Sequence, residues 1–369
     1  MAEHIVVVGA GYAGLAAAKL AAKWTGSRVT LVNERDRFVE RVRLHQLAVG
    51  QPMRGDVPLA DLLKGTGVEL VVDRVTDLDP EARKVRLTTG ALAYDRLIYA
   101  LGSRADVSGV PGAAEHAHTV ATREDAEELA VALRSARTVA VVGGGLTGIE
   151  AAAELAESRP DLDVLLVTGG GFGEALSEKG RRHLVRAFDR LGARVRDHAR
   201  VAEVRADGLV LDTGELVPAD VVVWTAGFTV PDLAARAGLA VDDRGRVVVD
   251  QELRSVSHPD VLAVGDAAAI KRQDGLELRM ACATGLPTTQ QAVRALAKRL
   301  GGGEPADGLR FKYVQQCISL GRRDGLIQFV DADDRPKERV LTGRSAARYK
   351  ELIVRIAFLF QRHPTMPAG

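Results

Sequence analysis

Two glycine patterns are the residues of this chain best suited to chemistry: Gly9-Ala10-Gly11-Tyr12-Ala13-Gly14 and Gly143-Gly144-Gly145-Leu146-Thr147-Gly148. In such a pattern the first glycine makes a tight strand-to-helix turn and the second lets backbone approach a pyrophosphate. The third lets helix pack close on strand, and the helix N-terminus offers free amides to the phosphates. Gly143 follows Gly9 by 134 residues, far beyond one βαβ unit, so the pattern is a true repeat. Two copies predict two dinucleotides on one chain, and two dinucleotides held together point to electron transfer from one to the other.

The elements that must position these loops repeat as well. His4–Val8 and Thr138–Val142 are apolar, β-rich runs placed directly before the glycines, and alanine-rich helical stretches follow, Leu15 to Lys23 and Ile149 to Glu157. Val29–Val32 and Val164–Val167 read as second strands. Arg96–Ser103 and Asp220–Gly227 are apolar runs closing on glycine, two versions of one strand-and-exit segment. Hairpin signals sit before each, at Val85 to Gly90 and Leu209 to Gly214. After the linker-like Gly301-Gly302-Gly303 come a hairpin over Phe311 to Val330 and a helical tail.

A chain of 369 residues suggests two or three domains, and an apolar share of 46% suits sizeable cores. A net charge of +1 gives no field to recruit nucleic acid. Cys282 and Cys317 have neither C-x-x-C nor metal spacing, which predicts a reducing compartment and no metal site. The first strand starts within a few residues of Met1, leaving no room for a signal peptide, and no apolar run is long enough to span a bilayer. The expectation is a cytoplasmic protein whose membrane contact, where it has one, is peripheral to the inner face.

These motifs in this order resemble the two-dinucleotide flavoprotein superfamily of type II NADH:quinone dehydrogenases, apoptosis-inducing-factor-like oxidoreductases, ferredoxin reductases and disulfide reductases, through Leu300. The resemblance implies an α/β fold: a Rossmann-like FAD domain (1–120 and 244–300) interrupted by a Rossmann-like NAD(P)H domain (121–243), then a small α+β C-terminal region (301–369). It implies FAD at Gly9, Gly11, Tyr12, Ala13 and Gly14, with Val75, Ala100, Leu101 and Gly102 beside it. NADH or NADPH would lie at Gly143, Gly145, Leu146, Thr147 and Gly148, with Ala226 and Gly227. Asp260–Ala268 looks like the chain's return to the FAD site, Gly265 and Asp266 matching the segment whose carboxylate holds the ribityl chain. Gly285–Ala292 resembles the helix aimed at the flavin, with Pro287, Thr288 and Thr289 expected in its first turn, where a helix N-terminus stabilises negative charge on the reduced ring.

Some positions depart from the pattern. Asn33 stands where an acid for the adenine ribose is usual, with Glu34 next to it, and Asn33 can still accept a hydrogen bond. Arg41 matches an arginine near the FAD pyrophosphate or is a solvated charge. Thr168 replaces the ribose acid of the second unit, so nothing there repels a 2′-phosphate and NADPH is as admissible as NADH; Arg181 and Arg182 lie further along. Glu150 matches a glutamate that type II dehydrogenases hold near nicotinamide and flavin, and is the candidate catalytic residue.

The acceptor is read from what is present and what is missing. Between Phe38 and Gly50 there is no cysteine, so dithiol chemistry is excluded and sulfide oxidation disfavoured. Of the alanine-glutamine and second glutamine that type II dehydrogenases place at quinone, this chain keeps Gln290, the candidate substrate-binding residue, but has Thr289 and Ala295 at the other two positions. The acceptor expected is a quinone or similar small molecule, with a small ferredoxin-like redox protein or a non-catalytic redox sensor as alternatives. From Arg335 onward there are eight Lys or Arg against two Glu. Tyr349, Leu352, Ile353, Ile356, Leu359 and Phe360 fall at helical spacing beside Arg348, Arg355 and Arg362. Such a helix either lies in a membrane interface or packs on the protein's own sheet or on a second subunit of a homodimer.

Overall fold

The computed structural model describes residues 3–53, 56–305 and 308–367. Two five-stranded parallel sheets carry the two glycine loops, and apart from one edge strand their orders match. The first runs Val261–Ala263, Arg96–Tyr99, His4–Val8, Arg28–Asn33, Val68–Val72, and the second Ala117–His118, Val221–Trp224, Thr138–Val142, Asp163–Val167, Arg194–Arg196. Parallel strands are covered on both faces, which is why each central strand is an unbroken apolar run with Ile5 to Val8 wholly buried. A three-stranded antiparallel meander accompanies each sheet, Val75–Ala93 in the first unit and Val201–Pro218 in the second.

The edge strand Val261–Ala263 is contributed after the whole second unit, so the first unit is interrupted and completed later, as the resemblance implied. The chain crosses between the units twice, and the crossings pair with each other: Arg104–Ala105 lies antiparallel to Phe228–Thr229.

Helix α1 (Tyr12–Thr25) and helix α2 (Leu146–Ser158) start directly behind the two glycine loops. A Cβ at Gly14 would lie 1.9 Å from the Gly9 carbonyl oxygen, and one at Gly148 equally close to that of Gly143. Helix and turn therefore touch backbone to backbone, which only glycine permits. Helix α3 (Cys282–Leu300) packs along α1, the two sharing the core of the first unit.

The C-terminal region is a three-stranded antiparallel sheet, Gln315–Ser319, Gly325–Val330 and Pro336–Thr342, followed by helix α4 (Gly343–Arg362). The expected hairpin gains a third strand because Pro336 to Arg339 form an exposed edge, where proline and charge replace the apolar alternation that marks a strand. The far end of α4 is fastened to α1. The buried ammonium of Lys19 donates to the carbonyls of Gln361 (2.7 Å) and Arg362 (2.9 Å), and to that of Leu62 (2.9 Å). A cation there satisfies helix-end carbonyls that have no partner within the helix. Phe360 is buried against Ala16 and Leu286.

Gly14→Ala is expected to cost about 1–3 kcal/mol by overpacking. Gly11→Ala, where a Cβ would meet nothing within 4 Å and the backbone is extended, stays within about 0.5 kcal/mol. Denaturant melts of the two variants check the contrast, and equal losses would contradict it.

Candidate active site

At the carboxyl end of the first sheet, α1 begins with Gly11 at its N-cap and no side chain capping its amides. The opening past Gly11 is clear of protein atoms, as is the one past Gly145 at the start of α2. Both loops therefore fit a phosphate group drawn to free helix amides. Gly9 seats against Ala100, where a Cβ would lie 2.4 Å from the carbonyl oxygen. Tyr12 and Ala13 open the first turn of α1, and Leu101 and Gly102 leave the neighbouring strand beside them.

Four distant segments meet at this edge. Arg41 donates to the Ser103 hydroxyl (3.0 Å), which donates to the Asp266 carboxylate (2.7 Å); Arg41 lies 3.8 Å from that carboxylate. Gly265 takes φ +68°, and a Cβ on it would come within 2.9 Å of Ala13. That close approach brings Asp266 up to the start of α1. Arg41 also lies over the Phe228 ring, 5.6 Å from its centre, and Phe228 belongs to the second crossing. Arg41 is thus a fixed, half-buried side chain. Ser103, which the sequence reading passed over as the end of a strand, is the bridge between Arg41 and Asp266.

Asn33 sits at the end of the second strand with its amide spent locally: Oδ1 accepts from the Ala10 amide (2.8 Å) and Nδ2 donates to the Arg35 carbonyl (2.8 Å). It fastens the glycine loop to the strand. Glu34 is exposed and pairs with Arg35. Val75 opens the first meander, half-buried against the first core.

In the second unit the glycine loop leans on Thr168 and Thr225. A Cβ on Gly144 would lie 2.3 Å from the Thr168 hydroxyl oxygen, and the Thr225 hydroxyl donates to Val142 (2.7 Å) beneath Gly143. Leu146 and Thr147 start α2. The buried Thr168 hydroxyl donates to the Gly170 carbonyl (3.1 Å), closing the loop after the second strand. Over that loop lies a carboxylate that spacing did not reveal: Glu174 accepts from the Gly171 amide (2.8 Å), and a Cβ on Gly170 would meet its Oε1 at 2.4 Å. Arg181 turns to the Phe172 carbonyl and Arg182 to Glu178. Ala226 accepts from the Trp224 indole (3.1 Å), and Gly227 leads into the crossing ribbon.

Helix α2 turns a row of acids toward the C-terminal region. Glu150 accepts from the Ser319 amide (2.9 Å) and forms a close ion pair with the Lys350 ammonium on α4. One turn on, the fully buried Glu154 pairs with Arg322 (2.9 Å) and accepts from Gln51 (2.5 Å); Glu157 accepts from the Arg322 amide. Burial raises the Glu154 carboxyl and Arg322 opposes it. For Lys350, burial and then the charge of Arg43 push the ammonium down to about 7, although it sits against the Glu150 carboxylate.

Helix α3 differs from the expected arrangement. Its first turn is Cys282–Gly285 behind Ala281, and Pro287 falls inside the helix. The Thr284 hydroxyl bonds the Arg279 and Ala281 carbonyls and closes a turn that starts the helix early. Pro287 then costs only the bond to Ala283 near an already open end. Thr288 and Thr289 are wholly buried, the former bonded to Thr284 (2.8 Å), so neither belongs to the helix start. Gln290 is also buried, its amide donating to the carbonyls of Pro364 (3.0 Å) and Met366 (2.8 Å). It holds the segment after α4. Cys282 and Cys317 are free thiols.

Residues 3–295 match the family model described as pyridine nucleotide-disulphide oxidoreductase. An NADH dehydrogenase-like protein of Mycobacterium tuberculosis is 33% identical over 344 residues, 86% of each chain. A demethylphylloquinone reductase of Synechocystis is 29% identical over 312 residues, 78% of this chain and 75% of that one. Among solved structures, a sulfide:quinone oxidoreductase of Aquifex aeolicus shares the fold with a TM-score of 0.81 at 23% identity, covering 98% of this chain and 92% of its own.

The buried ring of His45 lies behind this site. Burial, then the charges of Lys350, Arg322 and Arg43, hold its pKa well below the ordinary value near 6.5, so it is neutral at pH 7. Below that ordinary value the unfolded chain takes up a proton that the folded chain refuses. Stability is therefore whole above about pH 6.5 and falls as the pH drops, by at most about 1.4 kcal/mol per unit for this one group. The stability gap between the wild type and His45→Gln should narrow between pH 7 and 5 in denaturant melts; a constant gap would contradict the assignment.

Proposed function

The chain belongs to the pyridine nucleotide-disulphide oxidoreductase family, and from that premise we propose that it oxidises a nicotinamide dinucleotide held at the second glycine loop, using FAD held at the first, and reduces a quinone. The observation that carries this reading is the coupling of the two like-ordered sheets by the crossing ribbon, which sets Phe228 of the second unit against Arg41 of the first. FAD, when bound, supplies a ring that accepts hydride from nicotinamide and releases electrons to an acceptor.

The chain's own residues do the rest. The uncapped starts of α1 and α2 bind phosphates, and Arg41, Ser103 and Asp266 present a cation, a hydroxyl and a carboxylate to the sugar-phosphate chain of FAD. Glu150, in the first turns of α2, holds with Lys350 a proton that can follow electrons to the acceptor. Glu174 stands over the loop where the adenine ribose of the nicotinamide dinucleotide would lie, accepting ribose hydroxyls and repelling a 2′-phosphate, which makes NADH the preferred donor.

Quinone as acceptor draws support from the Synechocystis relative, whose name is that of a quinone reductase, and from the absence of any cysteine between Phe38 and Gly50. The outer face of α4 supports a peripheral membrane contact, where quinones dissolve. Leu352, Ile356 and Leu359 are exposed on it, and no helix among the described residues is long and apolar enough to cross a membrane.

Anaerobic addition of NADH should bleach the yellow absorbance of the purified protein, and a quinone should restore it. Glu150→Gln should leave the bleaching intact and slow the recovery. Absorbance that persists with both NADH and NADPH would end the proposal. Glu174→Ala should lower the ratio of kcat/KM for NADH to that for NADPH about tenfold, the order of one lost charge repulsion and one hydrogen bond; an unchanged ratio would remove Glu174 from donor selection.

A further inference from the structure

A cavity of about 760 Å³ opens between α4, the segment 42–52 and the turn after Ser319, and its wall is cationic: Arg43, Arg322, Arg323, Arg344, Arg348, Lys350 and Arg355 against the single acid Glu351. Four of these cations are accounted for. Arg43 grips Glu351 through both guanidinium nitrogens (3.0 Å each), Arg355 shares that carboxylate (2.9 Å), Lys350 pairs with Glu150 and Arg322 with Glu154. Arg323, Arg344 and Arg348 have no acidic partner among the described residues. Arg344 and Arg348 are one helical turn apart and so share a face of α4.

Three unneutralised guanidiniums around one cavity repel one another unless an anion joins them, and the planar guanidinium fork matches the oxygens of a phosphate. The next residue along this face is Leu352, which also lines the cavity and is half exposed at 52%. Ile356 and Leu359 continue the exposed apolar line, at 42% and 40%. A charged cavity running into an apolar stripe matches an amphiphile: anionic head in the cavity, acyl chains along the stripe.

We propose that Arg323, Arg344 and Arg348 form a site for the phosphate head group of an anionic phospholipid. This rests on the membrane contact proposed above and narrows it to a lipid class. The site orients α4 on an anionic leaflet and has no part in the hydride step.

The test is sedimentation of the full-length protein with vesicles of phosphatidylglycerol and phosphatidylcholine against phosphatidylcholine alone, at low salt. The wild type should bind the anionic vesicles much the better. Replacing Arg323, Arg344 and Arg348 together by alanine should lower that partition about a hundredfold, at about tenfold or less per arginine near a surface. Replacing Arg134, Arg186 and Arg200, exposed arginines that do not line the cavity, should lower it far less, and thermal melts confirm that both variants are folded. Equal binding of wild type to both vesicles would overturn the site while leaving the membrane contact standing. Equal losses in the two triple variants would likewise overturn it, in favour of a diffuse charge effect. No binding to either vesicle would overturn both the contact and the site. Glycerol phosphate that displaced nothing from the vesicles at millimolar concentration would agree with a lipid ligand, and complete displacement would overturn it in favour of a soluble phosphate.

Discussion

The whole arrangement depends on two places where a helix touches a turn without a side chain between them. At Gly14 over Gly9, and again at Gly148 over Gly143, a single methyl group would collide with a carbonyl oxygen. Removing that methyl sets the helix start at the end of the first strand, where its free amides face the space past Gly11 or Gly145. The same closeness lets the exit strand seat against the loop, since Gly9 rests on Ala100 and Gly143 on Thr225. In each sheet the strand before the glycine loop lies at the centre, with the loop at its carboxyl end. The two units that carry these loops are joined where the crossings pair, at Arg104–Ala105 and Phe228–Thr229.

Helix α2 does a second job that α1 does not. Glycine loop at its start and acids along its side, it joins the second glycine unit to the C-terminal region through Glu150, Glu154 and Glu157. Buried ion pairs add little net stability over apolar packing, but removing one partner leaves an uncompensated charge at a cost of about 3–5 kcal/mol. Their consequence is registry. Each acid has its own partner in the C-terminal region, Lys350 for Glu150, the Arg322 guanidinium for Glu154 and the Arg322 amide for Glu157, so α4 and its sheet settle against α2 in one position.

How much of this was legible in the sequence follows from the range of each interaction. The glycine loops, the central strands and the helices behind them are local: a buried parallel strand must be an apolar run, and the loop after it must be glycine. Asp266 was legible because its strand and glycine precede it. What escaped were features made by chain segments far apart. Ser103 closes a strand that sequence shows, but its bridge to Arg41 and Asp266 exists only after the return of the chain. Glu174 lies six residues past Thr168, and only the folding of Gly169 to Gly171 carries its carboxylate back over the loop. Gln290 has the spacing of an acceptor-site residue, yet its amide is taken by carbonyls more than seventy residues away. The early start of α3 was hidden by Pro287, which reads locally as a first-turn residue.

Helix α4 shows how these long-range contacts combine. Its first half is tied to the second glycine unit through Lys350 and to the segment around Arg43 in the first through Glu351. Its far end is tied to α1 through Lys19 and, beyond the helix, to α3 through Gln290. A helix fixed at both ends to both nucleotide units cannot swing independently of either. The face it leaves outward, with its arginines and its line of Leu352, Ile356 and Leu359, therefore holds a set orientation to both glycine loops. Whatever surface α4 rests on, both glycine loops therefore keep one orientation to that surface.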